Sequence, residues 1–534
     1  MATPATAAAL DPSPIDVVII GNGPSALLLS YILHGNIPIY DPQTPHPDPI
    51  LHEKLKGTPQ LLDLDIDRFT EHFEASRFPY STQALPVNSL FDSIVRPNAD
   101  TDDTEKNTCV QWRHSPEKAV SHVVLGSAPR PGGQWTECPN GTSWNIQSLS
   151  YAGMLSLPGY SFQTYHREHF GSELAPFTRP SRREIADYFA TYPAAVGISD
   201  AIKSAVAVGN ISRTTDGFYI ASHSLKCRHL VLASGTLTSP KPIRPLLQPL
   251  LTIGPLATAP DSVAARPPLL VIGSGFSAAD IIISASEEQK IIHIFQWEPD
   301  EKPSPLKSCH QQAYPEYAGI YRLMKRSASR QQTQTPWFRP TSLTPFLASR
   351  EWTRIYEGLP NTLVTAVEVQ DERAVVSLRL QDGTVLRRQV SGLAHAVGRQ
   401  GSLGYLDESL RKEILSGEDQ TTGVVSASTL RAAASADLEV ASNVFVVGSL
   451  TGDSLIRFAY GGCVYVAGKL ITRAINSNSR LKTGDNQGRL THATYEFKSL
   501  MNDRPHERSR DALSYQFPRF IWAKGKSWWN FLFS

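Results

Sequence analysis

Two glycine-rich turns in the sequence have the residue types and the spacing of a turn that binds a pyrophosphate. They are Gly21-Asn22-Gly23-Pro24-Ser25-Ala26 and Gly273-Ser274-Gly275-Phe276-Ser277-Ala278. In such a turn the first glycine allows a tight bend after a strand, the second lets the backbone approach the phosphates, and a small third residue keeps helix and strand close. The helix that follows presents free N–H groups to the phosphate oxygens. The sequence therefore predicts two dinucleotide sites.

An acidic residue about 20 positions after the first glycine of such a turn accepts hydrogen bonds from the ribose hydroxyls. Asp41 directly follows the apolar run 37–40, which is the next candidate strand after the first turn. We therefore predict that Asp41 binds the ribose at the first site.

The second turn lacks the arginine that often meets the 2′-phosphate of NADPH at the end of the next strand. Gln296, Trp297 and Glu298 follow the apolar run 291–295 instead. A phosphate clamp would have to come from the basic residues further along the chain, which are Lys302, Lys307 and Arg326. The residues leave three alternatives open: NADPH, NADH, or a second site that has lost its function.

The segments around both turns have the patterns of the elements that must position them. Residues 16–20 and 269–272 are short runs rich in β-branched residues, which is typical of buried parallel strands. Helices are predicted after the turns, over 27–33 and 279–284. This strand–turn–helix unit occurs twice and indicates an α/β protein.

The composition excludes several other classes of protein. The chain has 534 residues, a formal charge of +1, 41% hydrophobic residues and five cysteines. A charge so close to zero is unlike that of a protein that coats nucleic acid, and no apolar run reaches the roughly 18 residues of a membrane span. The cysteines form no closely spaced pair, and the histidines have no metal-site spacing. We expect a cytoplasmic protein without a metal or a nucleic-acid partner.

Three further segments make the chain resemble flavoprotein monooxygenases that bind FAD and NADPH. Gly132-Gly133-Gln134-Trp135 is similar to the G-G-x-W segment beside the FAD of that superfamily. Leu232-Ala233-Ser234-Gly235-Thr236 is similar to its A-T-G hinge between domains, and Ala396-Val397-Gly398 to the return hinge. The resemblance implies that Gly133, Gln134, Trp135 and Gly235 contribute to the FAD site.

More narrowly, the chain resembles the oxidative-stress-induced growth inhibitor family of flavin-monooxygenase-like proteins over about residues 16–470. The segments that carry this resemblance are Val18–Ser25, His46–Pro49, Gly132–Trp135, Met154–Tyr160, Tyr314–Tyr317, Gly452–Ser454, Arg457–Phe458 and Gly461–Gly462. The sequence departs from the family at Gln296 and Trp297, where basic residues are usual. The F-x-G-x-x-x-H segment of related monooxygenases is also missing before Gly273.

The resemblance implies the α/β fold of two-dinucleotide-binding-domain flavoproteins, with a Rossmann-like NAD(P) domain inserted in a Rossmann-like FAD domain. The predicted parts are a disordered leader (1–14), the first part of the FAD domain (15–236), the NAD(P) domain (237–400), the return segment of the FAD domain (401–480), and a polar linker with an aromatic tail (481–534).

The reaction that the resemblance implies uses NADPH to reduce FAD, and O2 then adds to the flavin at C4a. The resulting C4a-(hydro)peroxyflavin oxygenates a small organic substrate. The cofactor does most of this chemistry, and the protein keeps the site dry and hydrogen-bonded.

Asn145 and Arg457 are the candidate catalytic residues. Asp453 is predicted to hold the ribityl chain, to cap a helix that begins at Ser454, or both; that helix would stabilise reduced flavin through its dipole.

Ser181 and Glu184 have the spacing of a capping box at the start of another helix. The adjacent Arg182 or Arg183 is an alternative candidate for contacts with the phosphates of a nucleotide.

Two other functions remain open for the whole chain. One is a flavin oxidase or reductase that inserts no oxygen, and the other is a regulatory nucleotide-binding flavoprotein that acts through protein contacts.

Residues 515–533 are rich in aromatic side chains, and Arg519, Lys524 and Lys526 lie between them. Such a mixture suits a strap packed on the protein, with charged tips in water. It also suits peripheral attachment to a membrane surface, where rings and cations lie at the headgroups. The packed strap is the preferred interpretation, with the membrane surface or a protein partner as alternatives.

Overall fold

The computed structural model describes residues 15–101, 107–137, 142–253, 267–333, 345–370 and 373–484. The leader predicted over 1–14 and the aromatic segment 515–533 lie outside these residues, and the statements about them stay predictions. Within the described ranges, no helix is both long and apolar enough to cross a membrane.

The strands follow the chain in this order: β1 (Ile15–Ile20), β2 (Asn36–Tyr40), β3 (Val110–His114), β4 (His122–Leu125), β5 (Ile202–Lys203), β6 (Ile211–Thr214), β7 (Gly217–Ile220), β8 (Leu225–Leu232), β9 (Ser239–Pro240), β10 (Leu269–Ile272), β11 (Ile291–Phe295), β12 (Tyr356–Pro360), β13 (Leu363–Gln370), β14 (Arg373–Arg379), β15 (Val385–Val390), β16 (Leu393–His395), β17 (Arg399–Ser402), β18 (Val424–Val425), β19 (Glu439–Ala441) and β20 (Val444–Val446).

The α-helices are α1 (Pro24–Leu33), α2 (Pro49–Lys56), α3 (Ile66–Thr70), α4 (Pro86–Val95), α5 (Ala152–Leu155), α6 (Phe162–Phe170), α7 (Arg182–Ala195), α8 (Phe276–Ser284), α9 (Pro315–Thr333), α10 (Pro345–Ala348), α11 (Trp352–Ile355), α12 (Glu408–Ile414), α13 (Asp419–Thr422), α14 (Arg431–Ala436) and α15 (Ala459–Gly484). The helix predicted from Ser454 therefore begins at Ala459, after a 3₁₀ turn over Ile456–Phe458.

The first glycine turn follows β1, a central strand of an eight-stranded sheet. The main path of this sheet runs β19-β20-β8-β1-β4-β5, and the strands from β20 to β5 are parallel. Residues 17–20 of β1 are buried, as its run of valine and isoleucine predicts. Because β8 and β20 come from the middle and the end of the chain, this half is completed only after the second half has been traversed.

The second glycine turn follows β10 in a smaller parallel sheet of order β12-β11-β10-β16. Strands β13, β14 and β15 form a separate antiparallel sheet beside it. The molecule therefore has two Rossmann-like halves, and the second is inserted in the first. This is the two-dinucleotide-binding-domain architecture that the sequence predicts.

The chain passes from the first half to the second near β9 and returns near β17. These two connecting segments pair with each other. Strand β9 pairs with β17, and β17 pairs with β18. The boundaries predicted at 236/237 and 400/401 fall in these connecting segments. The division into independent domains stays a prediction.

Candidate active site

A cavity of about 530 Å³ opens where β1, β4, β8 and β20 end, which is where ligands bind in open parallel sheets. The predicted cofactor residues that line it are Gly21, Gly23, Pro24, Ser25, Gly133, Gln134, Trp135, Gly235 and Asp453. Its volume lies in the range of small-molecule and cofactor sites. The fold therefore gathers predicted residues from four distant segments around one space, called the main cavity below.

The two glycines of the first turn are required for different reasons. Gly21 has a φ of +114°, and a Cβ there would come closer than 3.0 Å to the carbonyl oxygen of Ala233, a distance that real Cβ atoms do not show. Gly23 has an ordinary φ of −77°, and no heavy atom lies within 4 Å of the position of its Cβ. The protein itself demands glycine only at Gly21, whereas the space over Gly23 is open to a ligand.

Helix α1 directs its N-terminus into this cavity. Pro24 is its first residue and has no N–H, and the first helical hydrogen bond runs from the Leu27 N–H to the Gly23 oxygen at 3.1 Å. The N–H groups of Ser25 and Ala26 therefore have no acceptor within the helix. Free N–H groups and the helix dipole together form an anion site.

The G-G-x-W segment forms the opposite wall and lies directly against the first turn. Gly133 has a φ of +59°, and its Cβ would lie 2.9 Å from Cα of Gly23. Arg182 holds this wall, because its Nη2 donates to the Gln134 oxygen at 2.7 Å and its Nε to the Glu137 oxygen at 3.1 Å. The predicted capping box of Ser181 and Glu184 is present. Arg182 thus positions the cavity wall through backbone carbonyls.

Asp453 lines the main cavity, but its carboxylate already has protein partners. It accepts hydrogen bonds from the Leu85 N–H at 2.9 Å, from Asn88 Nδ2 at 2.6 Å and from Arg431 Nη1 at 2.5 Å. Its side chain caps no helix, since α15 begins six residues later. A carboxylate has about four lone-pair sites, so the predicted contact with a ribityl hydroxyl stays a prediction.

The structure places Arg457, a predicted catalytic residue, in a buried ion-pair cluster away from the main cavity. Its Nε and Nη2 donate to Asp92, the latter at 2.6 Å, and its Nη1 donates to Asp100 at 2.8 Å. Burial alone would lower the pKa of Arg457, but the two carboxylates raise it, so the guanidinium stays charged. Arg457 is 6% exposed and does not line the main cavity. It is a buried ion-pair residue that joins the start of α15 to α4.

Asn145, the other catalytic candidate, also lies away from the main cavity. Its side chain is exposed, and its backbone N–H donates to Ser143 Oγ at 3.1 Å. A second cavity of about 350 Å³ lies behind the start of α15 and is lined by Tyr460, Arg96 and Trp112. Asn145 lines neither cavity, so the structure gives it no access to a reaction there.

The strand placement behind the Asp41 prediction is wrong. Strand β2, which precedes Asp41, pairs with β3 in a separate two-stranded antiparallel sheet outside the main sheet, whereas β4 lies next to β1. Asp41 does not line the main cavity, and its carboxylate accepts hydrogen bonds from the Gln43 N–H and Thr44 Oγ1. The residues between α1 and β4 form an insertion, which a count of about 20 residues cannot reveal.

The second turn repeats the geometry of the first. Gly273 has a φ of +151°, and a Cβ there would come closer than 3.0 Å to the Ala396 oxygen. The Cβ position of Gly275 is nearly open, with Pro305 Cγ at 3.8 Å. Gly275 precedes α8, whose first hydrogen bond runs from the Ala279 N–H to the Gly275 oxygen at 3.2 Å. Ser277 lies in the first turn of α8, where N–H groups have no intrahelical acceptor.

His293, on strand β11, holds the second turn through a hydrogen bond to its backbone. One ring nitrogen, Nε2, lies 2.7 Å from the Gly273 oxygen, and the other lies 2.8 Å from the Tyr356 hydroxyl. A carbonyl oxygen only accepts, so Nε2 carries the proton. Burial lowers the pKa of His293 to about 4, and the ring is therefore neutral near pH 7.

No arginine stands at the end of β11, and the following loop lies over the second turn. Ser304 Oγ donates to the Ser274 oxygen at 2.6 Å, and the Gln296 N–H donates to Ser274 Oγ at 2.9 Å. Of the basic residues considered for a phosphate clamp, Lys307 donates to the Pro299 oxygen at 3.0 Å. Lys302 is exposed.

Arg179 connects the two halves. Its Nε donates to the Ser148 oxygen at 2.6 Å on the first half, and its Nη2 bonds Glu316 of α9 at 2.7 Å on the second. The guanidinium also lies over the rings of Tyr314 and Tyr317. The Tyr-Pro-Glu-Tyr segment identified in the sequence is therefore the second half's part of this contact.

The described part of the chain contains no thiol at the main cavity and no cluster of metal-ligating side chains. Cys109, Cys227, Cys309 and Cys463 are buried and do not line the cavity. Burial raises the pKa of the first three thiols to about 12. These thiols are therefore inert near neutral pH.

Sequence reasoning missed three residues that shape the main cavity. Asn22 is 2% exposed within the first turn, Tyr405 reaches Ser234 with its hydroxyl at 3.0 Å, and Arg431 bonds Asp453. Asn22 had a readable signal, since it stands between two required glycines. Tyr405 and Arg431 had none, because their partners lie far away in the sequence.

No family model matches the chain. It is 30% identical over 348 residues to "Oxidative stress-induced growth inhibitor 1" of Homo sapiens, covering 59% of this chain and 70% of that protein. It is 24% identical over 539 residues to "Oxidative stress-induced growth inhibitor 2" of Homo sapiens, covering 88% and 96%.

Solved structures with a similar course of the chain include a flavin-containing monooxygenase from Stenotrophomonas maltophilia, with a TM-score of 0.44 and 15% identity over 86% of this chain and 99% of that one. Another is a thioredoxin reductase from T. acidophilum, with a TM-score of 0.43 and 13% identity over 86% and 99%.

Proposed function

The chain belongs to the oxidative stress-induced growth inhibitor family, and we propose that it is an FAD-dependent monooxygenase that uses NAD(P)H and O2 on a small organic substrate. In coarser terms, it is an oxidoreductase that binds FAD in the main cavity and a nicotinamide dinucleotide at the second turn. The observation that carries the proposal is the open space over Gly23 at the N-terminus of α1.

The residues around the main cavity fit FAD. A Cβ on Gly23 would project into the space that a pyrophosphate needs, and the free N–H groups of Ser25 and Ala26 are the donors that its oxygens need. Trp135 supplies an aromatic wall, and Ser454, Leu455 and Ile456 line the far end.

When bound, FAD supplies the hydride acceptance and electron transfer that no side chain supplies. The protein binds and orients it. The 3₁₀ turn Ile456–Phe458, which precedes α15, begins at the far end of the cavity, where Ile456 lines it. Arg182 and Arg431 hold the two walls through backbone carbonyls and Asp453, which keeps the cavity in shape.

The described cysteines favour a monooxygenase over a disulfide reductase. A reductase of that kind needs two accessible thiols beside the flavin, and the four described cysteines are buried and do not line the cavity.

A regulatory flavoprotein that does not use NAD(P)H is the second candidate. The observation that favours it is the second turn, where the end of β11 offers Gln296 in place of a cation and Ser304 bonds the turn itself. In that case the purified protein would hold FAD that neither NADPH nor NADH reduces.

Purified protein tests both candidates. We expect it to carry FAD at close to one molecule per chain, and NADPH or NADH to bleach the flavin without oxygen. With oxygen and a set of small amines, thioethers and ketones, a substrate should lower the peroxide released per NAD(P)H consumed. Protein that holds no FAD would overturn the proposal. Reduction in which all consumed NAD(P)H appears as peroxide with every compound would indicate an oxidase.

A further inference from the structure

Strand β4, one of the two strands beside β1, ends without a carboxylate. Strands β1 and β4 are parallel and in register, with Ile20 opposite Leu125, and the Gly21 N–H donates to the Leu125 oxygen at 2.7 Å. The residue that follows Leu125, at the place where a dinucleotide fold carries its ribose-binding acid, is Gly126.

The side chain of Asn22 occupies the place where a side chain on Gly126 would begin. A Cβ on Gly126 would come closer than 3.0 Å to Cβ, Cγ and Oδ1 of Asn22. Asn22 is 2% exposed, and its Nδ2 donates to the Ala128 oxygen at 3.1 Å and to Ser204 Oγ at 3.0 Å. No carboxylate can therefore extend from this position.

Asn22 also draws the segment after β4 toward the end of β5. The backbone carbonyl oxygen of Asn22 also accepts a hydrogen bond from the Gly132 N–H at 2.8 Å. Asn22 therefore holds the segment after β4 through both its side chain and its backbone. The part of the cavity wall that this segment forms is made of neutral residues, namely Ser127, Ala128 and residues 206–209. The carboxylates that line the cavity, Glu137 and Asp453, belong to other segments.

We propose that the main cavity binds the adenosine part of its ligand without a ribose-binding carboxylate at the end of β4, because Asn22 fills that place. This inference rests on the proposed FAD site. Its consequence is a specificity: the site accepts adenine nucleotides with or without a 2′-hydroxyl.

Competition on the FAD-containing protein tests this specificity. ADP and 2′-deoxy-ADP are titrated separately, and displaced FAD is followed by the rise in flavin fluorescence. We expect the two nucleotides to displace FAD with affinities within about threefold of each other. A hydrogen bond from a hydroxyl to a carboxylate changes affinity by about tenfold or more. A tenfold preference for ADP would therefore overturn the inference.

Matched variants test the role of Asn22. Gly126→Ala should lose FAD, because the new Cβ meets Asn22, and Asn22→Gly/Gly126→Ala should recover it. Asn22→Ala would not suffice, because the clash includes the Cβ of Asn22 itself. In the Asn22→Gly background, Gly126→Glu should create a tenfold or larger preference for ADP over 2′-deoxy-ADP. Circular dichroism and melting temperature identify variants that fail to fold.

The outcomes separate this inference from the proposed function. Wild-type protein that holds no FAD removes the proposed function. Wild-type protein that holds FAD but prefers ADP tenfold leaves the FAD site standing and overturns only the role of Asn22. FAD retained by Gly126→Ala also contradicts the steric argument.

Discussion

The carbonyl oxygen of Ala233 lies against Cα of Gly21 so closely that no Cβ fits between them. The Ala233 N–H donates to the Ile20 oxygen at 2.8 Å, which brings β8 to this position. Gly273 and Ala396 repeat this relationship in the second half. In both turns the first glycine is therefore required by the neighbouring strand, and only the second glycine reports on a ligand.

Gly23→Val should abolish FAD binding and leave the fold intact. The new side chain would project into open cavity, where nothing of the protein lies within 4 Å. Absorbance of the purified variant at the flavin bands measures the effect, with circular dichroism as the measure of folding. Gly57→Val is the matched control, because Gly57 has a φ of −74° and only an ordinary 3.6 Å contact. A fully yellow Gly23→Val protein would show that the first site is misassigned.

Gly275→Val should leave FAD bound and abolish its reduction by NADPH and by NADH. Its side chain would stand where the second pyrophosphate approaches, and the first half of the protein is untouched. Anaerobic bleaching of the flavin measures the reduction rate.

In the wild type we expect a modest preference between NADPH and NADH in the rate of flavin reduction, because no arginine follows Phe295. A preference of several hundredfold for NADPH would contradict this and require a phosphate clamp elsewhere.

Arg457→Met should destabilise the protein by about 3–5 kcal/mol, because it leaves Asp92 buried without its partner. The pair is closed by three hydrogen bonds from Arg457 to Asp92. Chemical denaturation measures the loss, and Arg457→Met/Asp92→Asn should recover part of it. If Arg457→Met unfolds like the wild type but has lost its activity, the catalytic role predicted from the sequence would be right after all.

His293 should make the protein less stable as the pH falls below about 6.5. Its pKa is lowered to about 4 by burial, so between these values the unfolded chain binds a proton that the folded protein excludes. The free energy of unfolding should fall by about 3 kcal/mol on account of this residue. Denaturation at pH 7 and pH 4.5 measures the change, and His293→Gln should reduce it by about this amount. The share that comes from His46 and His122, whose pKa burial also lowers to about 4, should remain. His114→Gln, at an exposed position, should leave the pH dependence as in the wild type.

The sequence alone determined the local chemistry of both nucleotide turns. A glycine with positive φ, a small residue for helix packing and a capping box such as Ser181 and Glu184 are requirements of a few neighbouring residues, and they are therefore visible in the order of the chain. The absence of an arginine directly after Phe295 is likewise visible in the order of the chain. These signals were sufficient to predict two strand–turn–helix units, whereas the insertion of one half in the other and the roles of Gly133, Gln134, Trp135 and Gly235 came from the family resemblance.

The tertiary structure alone decided which strands are neighbours and which charges meet. Asp41 follows the next strand in sequence, but β4, more than eighty residues further on, takes the place beside β1. Arg457 meets Asp92, 365 residues away, and burial turns this pair into a structural contact. Pairing of strands and of buried charges depends on the free energy of the whole folded chain, so no window of sequence contains it.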